Sequence, residues 1–519
     1  MNLGRYVTRS AKYFPEQTAI FFEGKKISYE QLDKRTNRLA RSFYALGMAK
    51  GDRVAIQALN RPEIAETEVA CYKAGMVRVP INARLSPKET SEIINNAQVK
   101  TIIGDKEHLE PLWENRKSLP TVENFIDLDE VIPGINGYEK ILAQSSAEAF
   151  DIEVEADDLA VLTYSSGTTG KLKGIMQSYG NRLAMIRKAL MFPEVRIKPG
   201  DIFIHVGPIT HVSGMLLMPL FFTGGCNIII RRFDLDLLLD TIQREKVNYT
   251  MVVPTMINFL LAYPKLTQYK FDSLKGIFYG AAPISPIRVQ QAIDFFGPIL
   301  FQGYGMSETT SFITVLTASE HKEALKKNPG RLGSCGRPVF ETEVRVVNEK
   351  GEDVRPGEEI GEIIARGPDI MKGYLNDPEL TQKTIINGWI QTGDMAKVDE
   401  EGYIYIVDRK ADMIISGGFN IYPSEIEQVL YKHPAVLEAC VIGVPDDKWG
   451  EAIKAVVVLK KGQSVTEEEL INHCKATLSS FKKPQSVDFV AELPKNPNGK
   501  IARKVVREKY WAGQDRRVN

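Results

Sequence analysis

Segments with a period of two alternate with segments of helical period along the first half of the chain. This alternation limits the fold more than any other feature. Ser28 and Gln31 make a capping box, in which each side chain satisfies a free amide at a helix start. Leu32, Leu39, Phe43 and Leu46 then share one helical face, and Gly47 suits the stop. "RVAIQAL" follows as a short strand. "MVRVPIN", "KTIIGD", "LAVLTYS", "DIFIHVG", "NIIIRR" and "NYTMVVP" repeat the strand pattern, with helical segments between many of them. Strands separated by helices predict α/β architecture, here large stacked sheets covered by helices. At roughly 100–200 residues per domain, 519 residues make more than one folded unit.

The texture changes after about residue 330, where "GRLGSCGRPVFETEVRVVNEKGEDVRPGEEIGEIIARG" is rich in glycine, β-branched residues and turns. A β-rich subdomain over 330–408 is expected. A second change falls at Asp408–Ala411. Beyond it, "EIEQVLYKH" and "TEEELINHCKATL" read as helices and "AVVVLKK" as a strand, a small α+β unit. The expected division is 1–408 for the large N-terminal domain and 409–519 for the small one, joined by a hinge.

Bulk properties exclude several classes. With 66 basic and 66 acidic side chains the formal net charge is zero, so no long-range field draws nucleic acid or an anionic membrane. Cys71, Cys226, Cys335, Cys440 and Cys474 are odd in number, far apart and without a CxxC pair, which fits a reducing cytoplasm rather than a disulfide or zinc framework. No signal peptide is legible at the N-terminus. The apolar stretch Gly214–Ile230 is broken by Pro219, Gly224, Gly225 and Asn227. It falls short of the ~20 residues of a spanning helix, so it reads as buried core with no transmembrane segment.

The chemistry is densest at Ser165–Gly174, directly after the apolar strand "LAVL". Ten residues there carry three glycines, four hydroxyls and two lysines. Glycines let backbone amides turn toward an anion, hydroxyls donate to phosphate oxygens, and Lys171 and Lys173 add charge. The loop is a polyphosphate cradle but not a Walker A loop. Only Thr168 and Thr169 separate Gly167 from Gly170, and Leu172 follows Lys171 where that motif needs a hydroxyl.

"YSSGTTGKLKG" resembles the signature loop of the adenylate-forming superfamily, which includes acyl-CoA synthetases, peptide-synthetase adenylation domains and beetle luciferases. In the family's order the chain also shows "PITHVSG" (208–214), "YGAAP" (279–283), "QGYGMSE" (302–308), "GSCGRP" (333–338), "GWIQTGD" (388–394), "VDRKADMIISGGFNIYPSEIE" (407–427) and "PKNPNGK" (494–500). The resemblance implies that Ser165, Ser166, Gly167, Thr168, Thr169, Gly170, Lys171 and Lys173 hold the β- and γ-phosphates of ATP. Gly280, Ala281 and Ala282 pass the adenine edge. Gln302, Gly303, Tyr304, Gly305 and Met306 complete the nucleotide site, with Tyr304 stacked on the ring. Ser307 donates to the α-phosphate, Asp394 accepts from the ribose hydroxyls, and Arg409 fixes the same ribose. Glu308 is the implied Mg2+ ligand. Glu308, Thr168, His211 and Lys500 are the implied catalytic group. Lys500 neutralises charge building between the carboxylate and the α-phosphate, and His211 gates the acyl pocket rather than acting as a base.

The acceptor implied by the C-terminal segments is coenzyme A. Gly417 and Gly418 in "SGGFN" line the family's pantetheine tunnel. Trp449 and Phe481 match nucleotide-contacting positions of aryl-CoA ligases, and Arg84, Lys482 and Lys483 are candidates for its phosphates. The implied pivot is Ala411, where many relatives carry Asp or Lys. Leu172 replaces a usual proline, and Tyr179 stands where histidine is frequent. The expected reaction is carboxylate + ATP + CoA giving acyl-CoA, AMP and pyrophosphate. The alternative is loading of a carrier protein in trans, since 19 residues follow Lys500 and none forms a carrier domain. His211–Gly214, Tyr279–Ala281 and Met306 are expected to line an acyl pocket without Arg or Lys, for an apolar monocarboxylate. Oligomeric state is open, with a homodimer common among relatives.

Overall fold

The computed structural model describes residues 2–166, 172–192, 194–495 and 501–511. The chain divides into two compact units. Met1–Val344 with Ala365–Ile390 forms the first, and Arg345–Ile364 with Gln391–Asn519 the second.

The first unit holds a nine-stranded and an eight-stranded sheet. In the larger, Ile202–His205 lies between Cys226–Ile229 and Tyr249–Val252, all parallel. Gly276–Gly280 and Leu300–Gly305 continue in parallel, and Phe312–Leu316 turns back antiparallel. In the smaller, Arg53–Gln57 is parallel to Val77–Ile81 and Thr101–Gly104. Leu159–Ser166 joins Val77–Ile81 in parallel and forms an antiparallel hairpin with Leu172–Ser178. Each strand read from the sequence is a strand here.

The capping box at Ser28 forms as expected, opening the helix Tyr29–Ala45. Leu32, Leu39 and Phe43 are fully buried in a core that also takes Tyr29, Tyr72 and Phe221. Each such side chain contributes about 1.5–3 kcal/mol of transfer free energy. The apolar stretch at 214–230 breaks into the helix Leu217–Thr223 and the strand Cys226–Ile229. No described helix is long and apolar enough to cross a membrane. All five cysteines are buried free thiols.

In the second unit, Val436–Asp446 and Gly450–Leu459 form a long antiparallel pair. Ser486–Phe489 adds in parallel, and Ile414–Ser416 with Phe419–Ile421 completes the sheet. The helices Pro423–Leu430 and Glu467–Lys475 bury Ile426, Leu430, Leu470 and Cys474 in its core. In the β-rich segment, Ile404–Arg409 pairs antiparallel with Trp389–Val398 and brings Asp394 opposite Arg409.

Candidate active site

The described residues on either side of the cradle are the two arms of a β-hairpin. Ser165 pairs with Lys173 and Ser166 with Leu172, so both arms are fixed by ladder hydrogen bonds. Gly167, Thr168, Thr169, Gly170 and Lys171 lie outside the described residues. Gly174 sits opposite Tyr164, where an added Cβ would lie 3.0 Å from the Tyr164 hydroxyl. Tyr179, at the histidine-frequent position, is fully buried and donates to the Tyr72 carbonyl at 3.2 Å.

A glycine platform stands at the ends of two parallel strands of the larger sheet. Gly280 and Gly303 are register partners. A Cβ on Gly280 would come within 2.2 Å of the Gly303 carbonyl oxygen, and one on Gly305 within 2.2 Å of that of Ser311. These contacts are with backbone, so no side chain can swing away. Ala281 holds a φ of 64° and Thr310 of 57°, a left-handed conformation costing an L residue roughly 1–2 kcal/mol. Thr309 Oγ1 donates to the Met306 and Ser311 carbonyls, and Gln177 Nε2 donates to the Ser307 carbonyl at 3.0 Å. The turn carrying Met306, Ser307 and Glu308 is therefore held from both sides. Gly280→Ala is expected to destabilise the fold by about 1–3 kcal/mol through overpacking and to weaken ATP binding with it. Thermal melting and ATP titration read both, and wild-type values in each would refute the close approach.

Glu308 is 7% exposed. Its Oε1 accepts a hydrogen bond from the Tyr374 hydroxyl at 3.0 Å. Lys173 Nζ lies 5.4 Å from the centroid of the same ring. Tyr374 reaches this place because Gly373–Tyr374 pairs with the second arm of the hairpin, opposite Ile175. Burial and the neighbouring Glu308 push the Tyr374 phenol above its ordinary pKa, so it stays a donor.

Tyr279 is among the residues expected to line the acyl pocket. It is buried, and its hydroxyl lies 2.8 Å from His321 Nε2 and 3.2 Å from Gln302 Oε1. His321 Nδ1 faces the Thr317 carbonyl at 2.7 Å, so Nδ1 carries the proton and Nε2 accepts. Side chains alternate along a strand, and it is Phe278 that faces the opposite side. There Phe278, Phe203, Leu216, Tyr249, Met251 and Phe312 line a small apolar cavity with room for about one water molecule. Its lining carries no charged side chain. His211 is half-buried at the start of the turn Val212–Leu216. Burial, and then Arg78, hold its imidazole below the usual pKa.

Burial likewise lowers His321 and His205 from 6.5 to about 4. Between pH 6.5 and 4 the unfolded chain binds protons that the folded chain refuses. Stability is therefore lost as pH falls through this window, by about 3 kcal/mol per histidine. The melting temperature is expected to drop accordingly, and less steeply in His321→Gln. Equal slopes in both proteins would contradict the assignment.

In the second unit Asp394 is 5% exposed, and Arg409 Nε lies 3.1 Å from its Oδ1. Gly417 and Gly418 have φ of 58° and 82°, and a Cβ on Gly417 would meet the Trp449 ring at 2.7 Å. Trp449 and Phe481 are 47% and 42% exposed, unusual for large rings, and Phe481 stacks on Phe419 at 4.7 Å. Lys482 is committed to both oxygens of Glu425. Arg84 is exposed in the first unit, its amide donating to Asn82 Oδ1. Lys500 lies outside the described residues. Sequence reasoning did not find Tyr374, His321 or Arg503. Arg503 follows Lys500 closely and joins Asp408, Asp412 and Glu427 around Ala411.

Comparison with known proteins shows the class of enzyme to which this chain belongs. The family model "AMP-binding enzyme" matches residues 7–375, and "AMP-binding enzyme C-terminal domain" matches 425–500. A feruloyl-CoA synthase of an Amycolatopsis species is 35% identical, with 98% of this chain and 99% of that protein covered. The medium/long-chain-fatty-acid–CoA ligase FadD8 of Mycobacterium tuberculosis is 33% identical over 99% and 91%. The solved o-succinylbenzoate CoA synthetase (MenE) of Bacillus subtilis, in complex with its acyl-adenylate intermediate, superposes with a TM-score of 0.85. It is 30% identical over 96% of this chain and 97% of that one. The chain belongs to the AMP-binding enzyme family, in its acyl-CoA synthetase branch.

Proposed function

We propose that this enzyme joins an apolar monocarboxylate to coenzyme A in two half-reactions. In the first, a carboxylate oxygen attacks the α-phosphorus of ATP and pyrophosphate leaves. In the second, the CoA sulfur attacks the acyl carbonyl, AMP leaves and the thiol proton passes to solvent. The observation that carries this reading is the buried Glu308, braced by Tyr374 beside the Ser165–Gly174 hairpin and on the turn that leaves the Gly280–Gly303 platform.

In this reading Ser165 through Lys173 hold the β- and γ-phosphates, and the backbone of Gly280, Ala281 and Ala282 passes the adenine edge. Tyr304 stacks on the base, Ser307 donates to the α-phosphate, and Asp394 with Arg409 takes the ribose. Asp394 and Arg409 already face each other, so the ribose hydroxyls meet a preset pair. Glu308 suits a hard divalent cation, since a buried carboxylate with one oxygen capped by a phenol keeps the other for coordination. Bound Mg2+ would supply charge neutralisation on the phosphates. Lys500 is proposed to stabilise charge in the adenylation step. Gly417, Gly418, Trp449 and Phe481 are proposed to receive CoA after rotation about a hinge at Asp408–Ala411. Lys482 would have to leave Glu425 to reach a phosphate.

Relatives named for feruloyl and fatty acyl substrates support an uncharged acyl tail, aliphatic or aromatic. Buried free thiols support a cytoplasmic setting. The resemblance extends the reading to a homodimer, which light scattering tests. A panel of carboxylic acids assayed for AMP release with CoA tests the reaction. Turnover of malonate ahead of medium-chain or aryl acids would contradict the acid class. AMP release with a carrier protein but not with CoA would favour carrier loading.

A further inference from the structure

The geometry points to Tyr374 as a positioning residue that keeps the Lys173 ammonium and the Glu308 carboxylate apart, so that each is available to the metal–nucleotide. This inference rests on the reading of Glu308 as the cation ligand. Tyr374 meets the two charges at different places on one side chain. Its hydroxyl donates to Glu308 Oε1 at 3.0 Å, and its ring lies 5.4 Å under Lys173 Nζ. Among the described residues, Lys173 forms no ion pair, and Tyr374 is the side chain that hydrogen-bonds the Glu308 carboxylate. A lysine and a buried carboxylate reaching the same ring would otherwise pair with each other, and each would then lose the charge it offers to phosphate or metal.

The ring is fixed by more than its two charged neighbours. Gly373 and Tyr374 pair with Met176 and Ile175, and the Tyr374 amide donates to Thr381 Oγ1 at 2.9 Å. Gly373 has a φ of 137°, and a Cβ there would meet Thr381 Cγ2 at 2.6 Å. The Met371 amide donates to the Glu308 carbonyl at 2.9 Å, so the segment holds the backbone of Glu308 as well as its side chain. One carboxylate oxygen is thereby committed. A cation over an aromatic face is attracted without surrendering its donors, so Lys173 keeps its three N–H groups for phosphate.

Two variants separate the hydroxyl from the ring. Tyr374→Phe keeps the spacer and loses the bond to Glu308. Its affinity for Mn2+, followed by electron paramagnetic resonance with a non-hydrolysable ATP analogue, is expected to fall about tenfold, the scale of one charge-assisted hydrogen bond. Its KM for ATP at saturating Mg2+ should stay within about twofold of wild type, because uniform ATP binding is untouched. Tyr374→Leu removes the spacer, so Mn2+ affinity and ATP affinity should both fall, the latter by about tenfold. A melting curve establishes that each variant is folded, and Tyr374→Phe decides the matter alone if the leucine variant is not. A folded Tyr374→Phe that binds Mn2+ like wild type, or that loses kcat with unchanged Mn2+ affinity, overturns the inference. Wild-type enzyme that binds Mn2+ no better with the ATP analogue than without it would overturn the reading of Glu308 itself, before any variant is made.

Discussion

Adenylation by a Lys500→Ala variant is expected to fall by about two to three orders of magnitude, with transfer from supplied acyl-adenylate to CoA within about threefold of wild type. The asymmetry follows from where charge develops. A carboxylate is ionised at neutral pH and needs no base. Its difficulty is approach to an α-phosphate that is also negative, and a positioned ammonium offsets that repulsion in the transition state. Thioester formation begins from a neutral acyl carbonyl and a good leaving group, so the same lysine contributes little. Separate assays of pyrophosphate exchange and of thioester formation from synthetic adenylate read the two steps. Equal losses in both would remove Lys500 from its proposed role.

The second large effect is expected at Glu308. Glu308→Gln keeps the size of the side chain and an oxygen that accepts from Tyr374, but removes the charge. Adenylation should drop by about two orders of magnitude, and the Mg2+ concentration for half-maximal rate should rise. The melting temperature should hold or increase, because a carboxylate that is 7% exposed is costly to bury without a cation. A variant that melts early and shows an unchanged Mg2+ requirement would make Glu308 a structural acid instead.

Much of this architecture was legible in local chemistry. The capping box at Ser28, the strand before Ser165 and the break-up of Gly214–Ile230 each depend on neighbours within a few residues, and the structure has each of them. The glycines of "YGAAP" and "QGYGMSE" entered through the resemblance, and the 2.2 Å that a Cβ on Gly280 would leave gives a packing reason for one of them. What escaped the sequence depends on tertiary placement. Tyr374 reaches Glu308 across 66 residues, and Tyr279 reaches His321 across 42. No periodicity signals either. Tyr279 and Phe278 are adjacent in sequence, and only the register with Gln302 and Phe301 fixes which ring faces the apolar cavity. Lys482 shows the same limit. As a residue type it suits a phosphate, but in the fold it is spoken for by Glu425. The composition change at Asp408 and the division of the chain at Ile390–Gln391 fall at different places, because the pairing of Asp394 with Arg409 ties Trp389–Val398 to the strand that follows.

The central claim is that this site makes an acyl-adenylate from an apolar carboxylate. Exchange of labelled pyrophosphate into ATP tests it most directly, because exchange requires reversible adenylation and needs no CoA. Exchange should depend on both Mg2+ and a medium-chain or aryl carboxylic acid, and be absent with either omitted. ATP turnover that proceeds without any carboxylate, or exchange that no carboxylic acid supports, would contradict the account.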